Sequence, residues 1–542
     1  MSIPLFIKKR FFLILLIGTS ILFWLINFFF HIRFEENDDI LMALIASGSY
    51  SGMPNDHLVF INRIYGSVIC NLYSMWPSIE WYTIAFVTLN IVSISLIGTA
   101  ILRTSNKLVV KIFFLVLLFS LLTYLSLLLQ FTKVSAICAT AGVVLMYDNR
   151  RGINYIGAIM FLIAALIRFE AAFLVLIVAS PLFFFSLLKR RGVHFDHRLR
   201  VVLSIIVIAS LCDFIDREYY KSDKNWNYYM EYNSLRGSIN DNPNLNAIGQ
   251  VITNNVLSKA DYQLLLNFFP DPDIIDIDVL KEIKYVLDEI PLWNKLINIP
   301  RQFYSYFFWL CFLLVLSLSF VYNERSIRGS VPSGMNLAMV GAFAYVALNA
   351  HIKERVFISA FFVYILLLPI LFSRYSLLKK NVLVIPSIFV LIIWLNVRSY
   401  EAELRNVKLY GLYTDQIALI DEYLSAPENK LVPFGTSYKL EYNSPFLISE
   451  EYYEQQIYYA GWASHIPLNI DKYDSFNYFM DGNGLLVSKN IFELATGLIV
   501  SSISSNSDVD VEPKVVGESK YYLVVEFVPM KNAGISSLCK IH

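Results

Sequence analysis

The sequence predicts a polytopic α-helical membrane protein with a small α/β domain at its C-terminus. Of its 542 residues, 56% are hydrophobic and 16% are charged, which is too apolar a composition for an ordinary soluble domain. Apolar residues are gathered into runs long enough to cross a bilayer. The formal net charge is zero, so charge suggests no nucleic-acid partner, and membrane lipid is the expected environment.

The first apolar run covers residues 11–30 and follows the basic residues Lys8, Lys9 and Arg10. A secretory signal peptide also starts with basic residues, but its apolar core is shorter and ends in small residues. This run ends in three phenylalanines. It therefore predicts a retained membrane span with its N-terminus in the cytoplasm.

Further apolar runs bring the predicted number of spans to about eleven. The later runs cover residues 81–102, 108–129, 131–147, 153–167, 171–188, 201–215, 303–322, 335–350, 356–372 and 382–397. Basic residues cluster at alternate ends of the runs, which assigns those ends to the cytoplasm. These clusters lie at 8–10, 103–111, 150–151, 189–200, 325–328 and 374–380. The long polar segments then face the other side of the membrane.

The predicted division is a transmembrane domain over 1–397, with outer loops at 32–80 and 216–300, and an extracytoplasmic α/β domain over 398–542. Within the second domain, polar residues separate short runs rich in β-branched and aromatic residues. Strands are predicted at 431–433, 484–487, 496–500 and 521–527, and a helix is predicted at 415–424.

Four carboxylates, Glu35, Glu36, Asp38 and Asp39, follow the first span directly. At about 100° per residue, Asp38 and Asp39 lie on the same half of an amphipathic helix and would be presented together. One interpretation is a solvated acidic collar that ends the span. The other is a catalytic or metal-binding acid pair at the membrane boundary.

Cations occur in two turns that the predicted topology places on the same outer side. Arg168 lies beside Glu170 in one turn, and Lys353 and Arg355 lie in the other. Ionisable groups near membrane depth usually pair or line a polar cavity, although such side chains also anchor spans to lipid headgroups. Arg and Lys can bind a phosphate that leaves with negative charge. Lys133, just inside the fourth span, is a weaker candidate of the same kind.

Other candidates for substrate binding lie in the outer loops. His57 and Arg63 of the first loop could contact a phosphate or a sugar, or be ordinary surface residues. The second loop contains Trp226, Tyr229 and Arg236, whose aromatic faces and polar group suit carbohydrate binding. The alternative for these aromatic residues is an interfacial belt.

The chain resembles the GT-C superfamily of integral membrane glycosyltransferases. The resemblance is carried by a cytoplasmic start, one span, an outer loop with the acid pair Asp38 and Asp39 close to that span, many further spans and a terminal outer domain. It implies a GT-C-like fold and transfer of a sugar from a polyprenyl-phosphate-linked donor to a lipid-linked or surface glycan, such as lipopolysaccharide or O-antigen. The implied location is the bacterial inner (plasma) membrane, with chemistry on the extracytoplasmic side.

The resemblance also implies a single inverting displacement. Asp38 would act as general base, while Asp39 would orient it or hold a divalent cation, Mg²⁺ or Mn²⁺, if one is used. Arg168, Lys353 and Arg355 would neutralise the departing phosphate. The acids here are Asp followed by Asp, where many members have Asp followed by Glu, so which is the base stays open. The alternative functions are a glycan polymerase or ligase, and a flippase or transporter of lipid-linked glycans.

Overall fold

The computed structural model describes residues 5–148, 150–188, 197–323, 330–372, 384–434, 444–446, 456–468, 475–507 and 509–530. The chain forms two compact units. The first comprises Met1–Tyr219, Leu292–Leu409 and Glu441–Glu451, and the second comprises Tyr220–Pro291, Tyr410–Leu440 and Tyr452–His542. Residues 220–291, expected to be a loop of the transmembrane domain, are thus grouped with the C-terminal part of the chain.

The first unit is built from helices, which are numbered in chain order through both units. They are α1 Leu5–Phe29, α2 Asn37–Ser47, α3 Arg63–Met75, α4 Trp81–Leu102, α5 Leu108–Leu127, α6 Phe131–Met146, α7 Arg151–Ile167, α8 Phe169–Leu188, α9 His197–Ser222, α14 Leu292–Tyr304, α15 Phe307–Asn323, α16 Val331–Asn349, α17 Glu354–Phe372 and α18 Val384–Leu424. The last residues of α9, from Tyr220, and of α18, from Tyr410, belong to the second unit. Buried apolar side chains of α4 to α9 and of α15 to α18, among them Phe114, Phe161 and Phe361, form one large core.

Five helices in the described residues are long and apolar enough to cross a membrane. They cover Arg10–Phe29, Trp81–Leu102, Leu108–Leu127, Val331–Asn349 and Val384–Leu424, and the bent pair α14 and α15 would add a sixth. These helices are compatible with an integral membrane protein. The expected count of about eleven is not confirmed, because the apolar helices α6 and α7 are only 16 and 17 residues long and α9 carries charged residues at both ends.

A two-residue parallel strand pair fixes the segment that follows α1. Strand β1 (Arg33–Phe34) pairs with β2 (Leu128–Leu129), with Arg33 opposite Leu128. The buried Arg33 side chain donates from Nε to Oδ1 of Asn406 at 2.6 Å. This pairing holds the acidic residues after β1 next to the start of α6.

The second unit combines short helices with a four-stranded sheet. The helices are α10 Lys224–Asn240, α11 Gly249–Asn255, α12 Lys259–Leu266, α13 Ile277–Asp288 and α19 Phe492–Asn506, and the strands are β3 Leu431–Pro433, β4 Gly484–Ser488, β5 Val511–Glu518 and β6 Tyr522–Pro529. The strand order is β3-β4-β6-β5, with β3 parallel to β4 and the other neighbours antiparallel. Leu264 and Phe269 share a core with the sheet residues Val432 and Leu485, which explains why residues 220–291 belong to this unit.

Most of the predicted elements of this C-terminal region are confirmed. Strands β3, β4 and β6 and the helix at 415–424 form where expected. The strand predicted at 496–500 is wrong, because Ala495, Thr496, Ile499 and Ile503 form the buried stripe of α19. Strand β5 was missed because it is a mostly exposed edge strand that lacks the alternating apolar pattern.

Candidate functional site

The four carboxylates identified from the sequence surround the start of α2. Helix α2 begins at Asn37, so Asp38 and Asp39 lie in its first turn, where the helix dipole favours negative side chains. The rest of the helix is almost entirely buried, from Ile40 to Ala46. Because α2 is packed into the protein, the acids are held in fixed positions.

Asp39 is completely buried. Its Oδ1 accepts a hydrogen bond from the Tyr82 hydroxyl at 3.0 Å and from the backbone N–H of Phe131, the first residue of α6, at 3.1 Å. Its Oδ2 is buried without a hydrogen-bond partner among the described residues. Burial, followed by the charge of Asp38, raises the pKa of Asp39 well above its usual value, although the two hydrogen bonds lower it.

Asp38 differs from its neighbour in being partly exposed. In the described parts of the chain, no residue forms a hydrogen bond or ion pair with its side chain. The expectation that both acids are presented together is therefore wrong. Helix α2 is buried on all sides from Asp39 to Ala46, so Asp39 is enclosed, whereas Asp38, one residue nearer the start of the helix, stays partly exposed.

Arg355 lies against these acids. It is the second residue of α17, and its Nη1 is 2.5 Å from Oε1 of Glu36. Its guanidinium also interacts electrostatically with Asp38, Glu35 and Asp39. Burial raises the pKa of Glu36, and Arg355 only partly offsets this effect. Arg355 thus interacts electrostatically with all four carboxylates and forms its ion pair with Glu36.

A second ion pair at the site joins Glu35 to Lys133. The Lys133 Nζ lies 2.9 Å from Oε1 of Glu35, donates to the Tyr124 hydroxyl at 3.3 Å and sits 4.4 Å from the centre of the Tyr124 ring. The Lys133 side chain is only 2% exposed. The sequence marked Lys133 as a charge inside an apolar run, but nothing in the sequence indicated that Glu35 would be its partner.

Arg168 and Lys353, the other two cations predicted to bind phosphate, have different neighbours from Arg355. Arg168 pairs with Glu170 at 2.9 Å, and its guanidinium is 5.6 Å from the centre of the Phe131 ring. Phe131 thus contacts both residues, Arg168 through its ring and Asp39 through its backbone N–H. Lys353 is exposed and precedes α17, where its carbonyl accepts a hydrogen bond from Val356 at 3.1 Å.

His57 and Arg63 belong to a separate cluster around Asp56. Arg63 Nε is 3.2 Å from Asp56 Oδ2, its guanidinium is 3.4 Å from the centre of the Tyr219 ring, and the His57 ring stacks on Tyr219 at 4.9 Å. Burial raises the pKa of Asp56, but hydrogen bonds from Ser67 and Arg63 bring it below its usual value. The contacts described for His57 and Arg63 thus link the first loop to α9.

Trp226, Tyr229 and Arg236 are buried inside the second unit. The Tyr229 hydroxyl donates to the carbonyl of Trp462 at 3.0 Å, and Arg236 donates to Oδ1 of Asn233 at 2.8 Å. Their side chains pack within the protein and offer little exposed surface, so sugar binding by these residues stays a prediction.

Within the described ranges, no group of three or more His, Cys, Asp or Glu side chains is arranged to hold a metal ion. The unpartnered oxygens of Glu35 and Asp39 are therefore not accompanied by a third such ligand. The expectation of a divalent cation receives no support from these residues.

The described residues form a largely helical protein with helices that are compatible with a membrane. Its charged cluster contains Glu35 and Glu36 just before α2, Lys133 of α6 and Arg355 of α17. Comparison with known proteins finds no matching family model, no matching curated protein and no matching solved structure.

Proposed function

We propose that this chain is a GT-C-like membrane glycosyltransferase that moves a sugar from a polyprenyl-phosphate-linked donor to a lipid-linked or surface glycan acceptor. The observation that carries the proposal is the partly exposed Asp38, whose side chain has no hydrogen-bond or ion-pair partner among the described residues and which interacts electrostatically with Arg355. A base and a cation are the two groups that such a displacement needs. The base accepts the acceptor proton, and the cation stabilises the leaving phosphate.

In the proposed reaction, Asp38 accepts the proton of the acceptor hydroxyl while that oxygen bonds to the anomeric carbon. The bond from this carbon to the donor phosphate breaks, and the phosphate leaves with the electron pair. Inversion at the anomeric carbon follows from the single displacement. Asp38 is assigned this role over Asp39 because Asp38 is partly exposed, whereas Asp39 is 0% exposed.

Arg355 is the proposed phosphate-binding residue. Without substrate, its guanidinium is paired with Glu36. A guanidinium presents several N–H donors in a planar fork, so it can bind a phosphate while keeping a second anionic partner. Glu36 then holds the cation in place before the donor arrives. Arg168 and Lys353 are secondary candidates for contacts farther along the donor.

Asp39 has a positioning role in this proposal. It ties α2 to the start of α6 through Phe131 and to α4 through Tyr82. These bonds fix the turn that carries Asp38, so the base does not have to be ordered when the substrate binds. No step of the proposed mechanism uses a metal ion.

The proposed location is the bacterial inner membrane, with the N-terminus in the cytoplasm and the acids on the extracytoplasmic side. The alternation of basic clusters along the sequence supports this orientation. The donor is then a lipid-linked sugar, since no pool of nucleotide sugars is expected on that side.

Mass analysis of the surface glycan, in cells with and without this protein, tests the function. Loss of one defined sugar, restored by the wild-type chain but not by Arg355→Ala, is the expected result. An unchanged glycan would contradict the proposal. Loss of polymer length or of the entire glycan would instead indicate a polymerase, a ligase or a flippase.

A further inference from the structure

Helix α14 meets α15 at a sharp angle. The axes of Leu292–Tyr304 and Phe307–Tyr322 differ by 79°, and only Ser305 and Tyr306 separate the two helices. Helix α15 contains no charged residue, whereas α14 contains Lys295 and Arg301. The bend therefore coincides with a change in the character of the sequence.

Apolar and polar residues of α14 are completely segregated around its axis. At about 100° per residue, the apolar residues fill one sector of roughly 160° and the polar residues fill the opposite sector. The apolar set is Leu292, Trp293, Leu296, Ile297, Ile299, Pro300, Phe303 and Tyr304, and the polar set is Asn294, Lys295, Asn298, Arg301 and Gln302.

One edge of α14 packs against other helices of the first unit. Ile299 and Phe303 pack against the large core, and Gln302 donates to the carbonyl of Ala347 at 3.0 Å and accepts from the N–H of Ile352 at 2.9 Å. These contacts hold the helix in place. They leave most of its apolar sector uncovered by the described residues.

That uncovered sector is large. Trp293 is 71% exposed, Ile297 49% and Tyr304 83%. Beyond the bend it continues into α15, where Phe307 and Phe308 are each 63% exposed. A continuous apolar surface of this kind on a spanning helix is normally covered by lipid.

The polar sector excludes a position within the hydrocarbon. Lys295 and Arg301, together with three side-chain amides, would have to be desolvated there, which is costly. Helix α15 lacks such charges, so it is the part of the bent pair that can enter the hydrocarbon. These properties favour a position of α14 at the level of the headgroups, outside the hydrocarbon that α15 can enter.

We propose that α14 is an interfacial helix that lies on the membrane, with its apolar sector covered by phospholipid acyl chains and its polar sector facing the headgroups and water. Lys295 and Arg301 provide attraction to lipid phosphates. The inference rests on membrane insertion of α15 and is independent of sugar transfer. Its failure would leave the proposed chemistry untouched.

Photocrosslinking from the full-length protein in its own membrane tests this placement. The photoreactive residue p-benzoylphenylalanine replaces Trp293 or Ile297 on the apolar face, and Asn294 or Arg301 on the polar face as matched controls. After irradiation, intact-protein mass spectrometry should detect phospholipid adducts at positions 293 and 297, several-fold more abundant than at 294 and 301.

Three results would overturn the proposal. Equal lipid adducts on both faces would place α14 within the bilayer as part of a broken span. Adducts with a second protein chain at 293 and 297 would identify that surface as a protein interface. Absence of lipid adducts at both apolar positions would show that the face is not covered by the membrane.

Discussion

The backbone N–H of Phe131 donates a hydrogen bond to Oδ1 of Asp39 at 3.1 Å. This bond joins the first turn of α2 to the first residue of α6. The pairing of β1 with β2 brings α2 close to the start of α6, and the hydrogen bond from Phe131 to Asp39 connects the two helices. Asp38, the neighbour of Asp39, is partly exposed.

Two replacements of Asp39 distinguish the loss of its hydrogen bonds from the loss of its negative charge. Asp39→Ala leaves the buried Tyr82 hydroxyl and Phe131 N–H without their acceptor, at a cost of about 1–3 kcal/mol each. Asp39→Asn keeps that acceptor, so its loss of stability should be smaller, about 1 kcal/mol or less. Thermal unfolding in one detergent measures both variants. Equal losses in the two variants would contradict the hydrogen-bonding role.

The Lys133–Glu35 pair should show strong coupling because Lys133 is buried. Lys133→Met alone leaves Glu35 without its cation and should cost about 3–5 kcal/mol, whereas adding Glu35→Gln should recover much of that loss. The matched control is the Arg168–Glu170 pair, which has the same 2.9 Å separation but a Glu170 side chain that is 70% exposed. Its coupling in an equivalent double-mutant cycle should be below about 1 kcal/mol. Equal coupling in both pairs would show that burial of Lys133 has no energetic effect.

Helices α6 and α7 approach too closely for a side chain at Gly157. A Cβ there would lie 2.6 Å from the carbonyl oxygen of Gly142 and 2.7 Å from the backbone nitrogen of Met146. Gly157→Ala should therefore destabilise the protein by about 1–3 kcal/mol or more. The control is Gly152→Ala in the same helix, where nothing lies within 4 Å of the new Cβ and stability should be unchanged or higher. Similar unfolding temperatures for both variants would argue against this close approach.

Asp271 should make the second unit sensitive to pH. Burial raises the pKa of Asp271 from 3.8 to about 6, although its carboxylate accepts hydrogen bonds from the N–H groups of Asp273 and Phe476. Because the folded state binds this proton more tightly than the unfolded state, the contribution to stability is complete below pH 3.8 and is lost as pH rises through about 6. The loss amounts to at most about 3 kcal/mol.

Unfolding of the full chain between about pH 4 and pH 7 measures this effect. The wild type should lose stability relative to Asp271→Asn as the pH rises, whereas Asp278→Asn, an exposed carboxylate that does not contribute to the shift of Asp271, should keep the pH dependence of the wild type. Wild-type and Asp271→Asn profiles that stay parallel over this range would exclude Asp271 as the titrating group.

Sequence reasoning located the acids and Arg355 because each is a charged residue at the end of an apolar run. It did not find the Lys133–Glu35 pair, since that contact depends on the pairing of β1 with β2, and a two-residue strand leaves no periodic signal. It also did not distinguish Asp38 from Asp39. Their different exposure follows from what packs around α2, and local periodicity does not contain that information.

The same limitation explains the other differences. Trp226 and Tyr229 have the composition of a binding surface, but tertiary packing buries them. The run at 496–500 contains β-branched residues typical of strands, yet its neighbours complete a helical stripe. Tyr229 contacts Trp462, which is distant in sequence, and the buried stripe of α19 includes Ala495 and Ile503, which lie outside the predicted strand.

The central claim is that Asp38 is the general base of a sugar transfer, and glycan mass analysis in cells that carry matched variants tests it most directly. At equal protein levels, Asp38→Asn should reduce the transferred sugar by about 100-fold or more, as expected for removal of a general base. The exposed control Asp278→Asn should leave it unchanged. Wild-type amounts of product from Asp38→Asn would contradict the account.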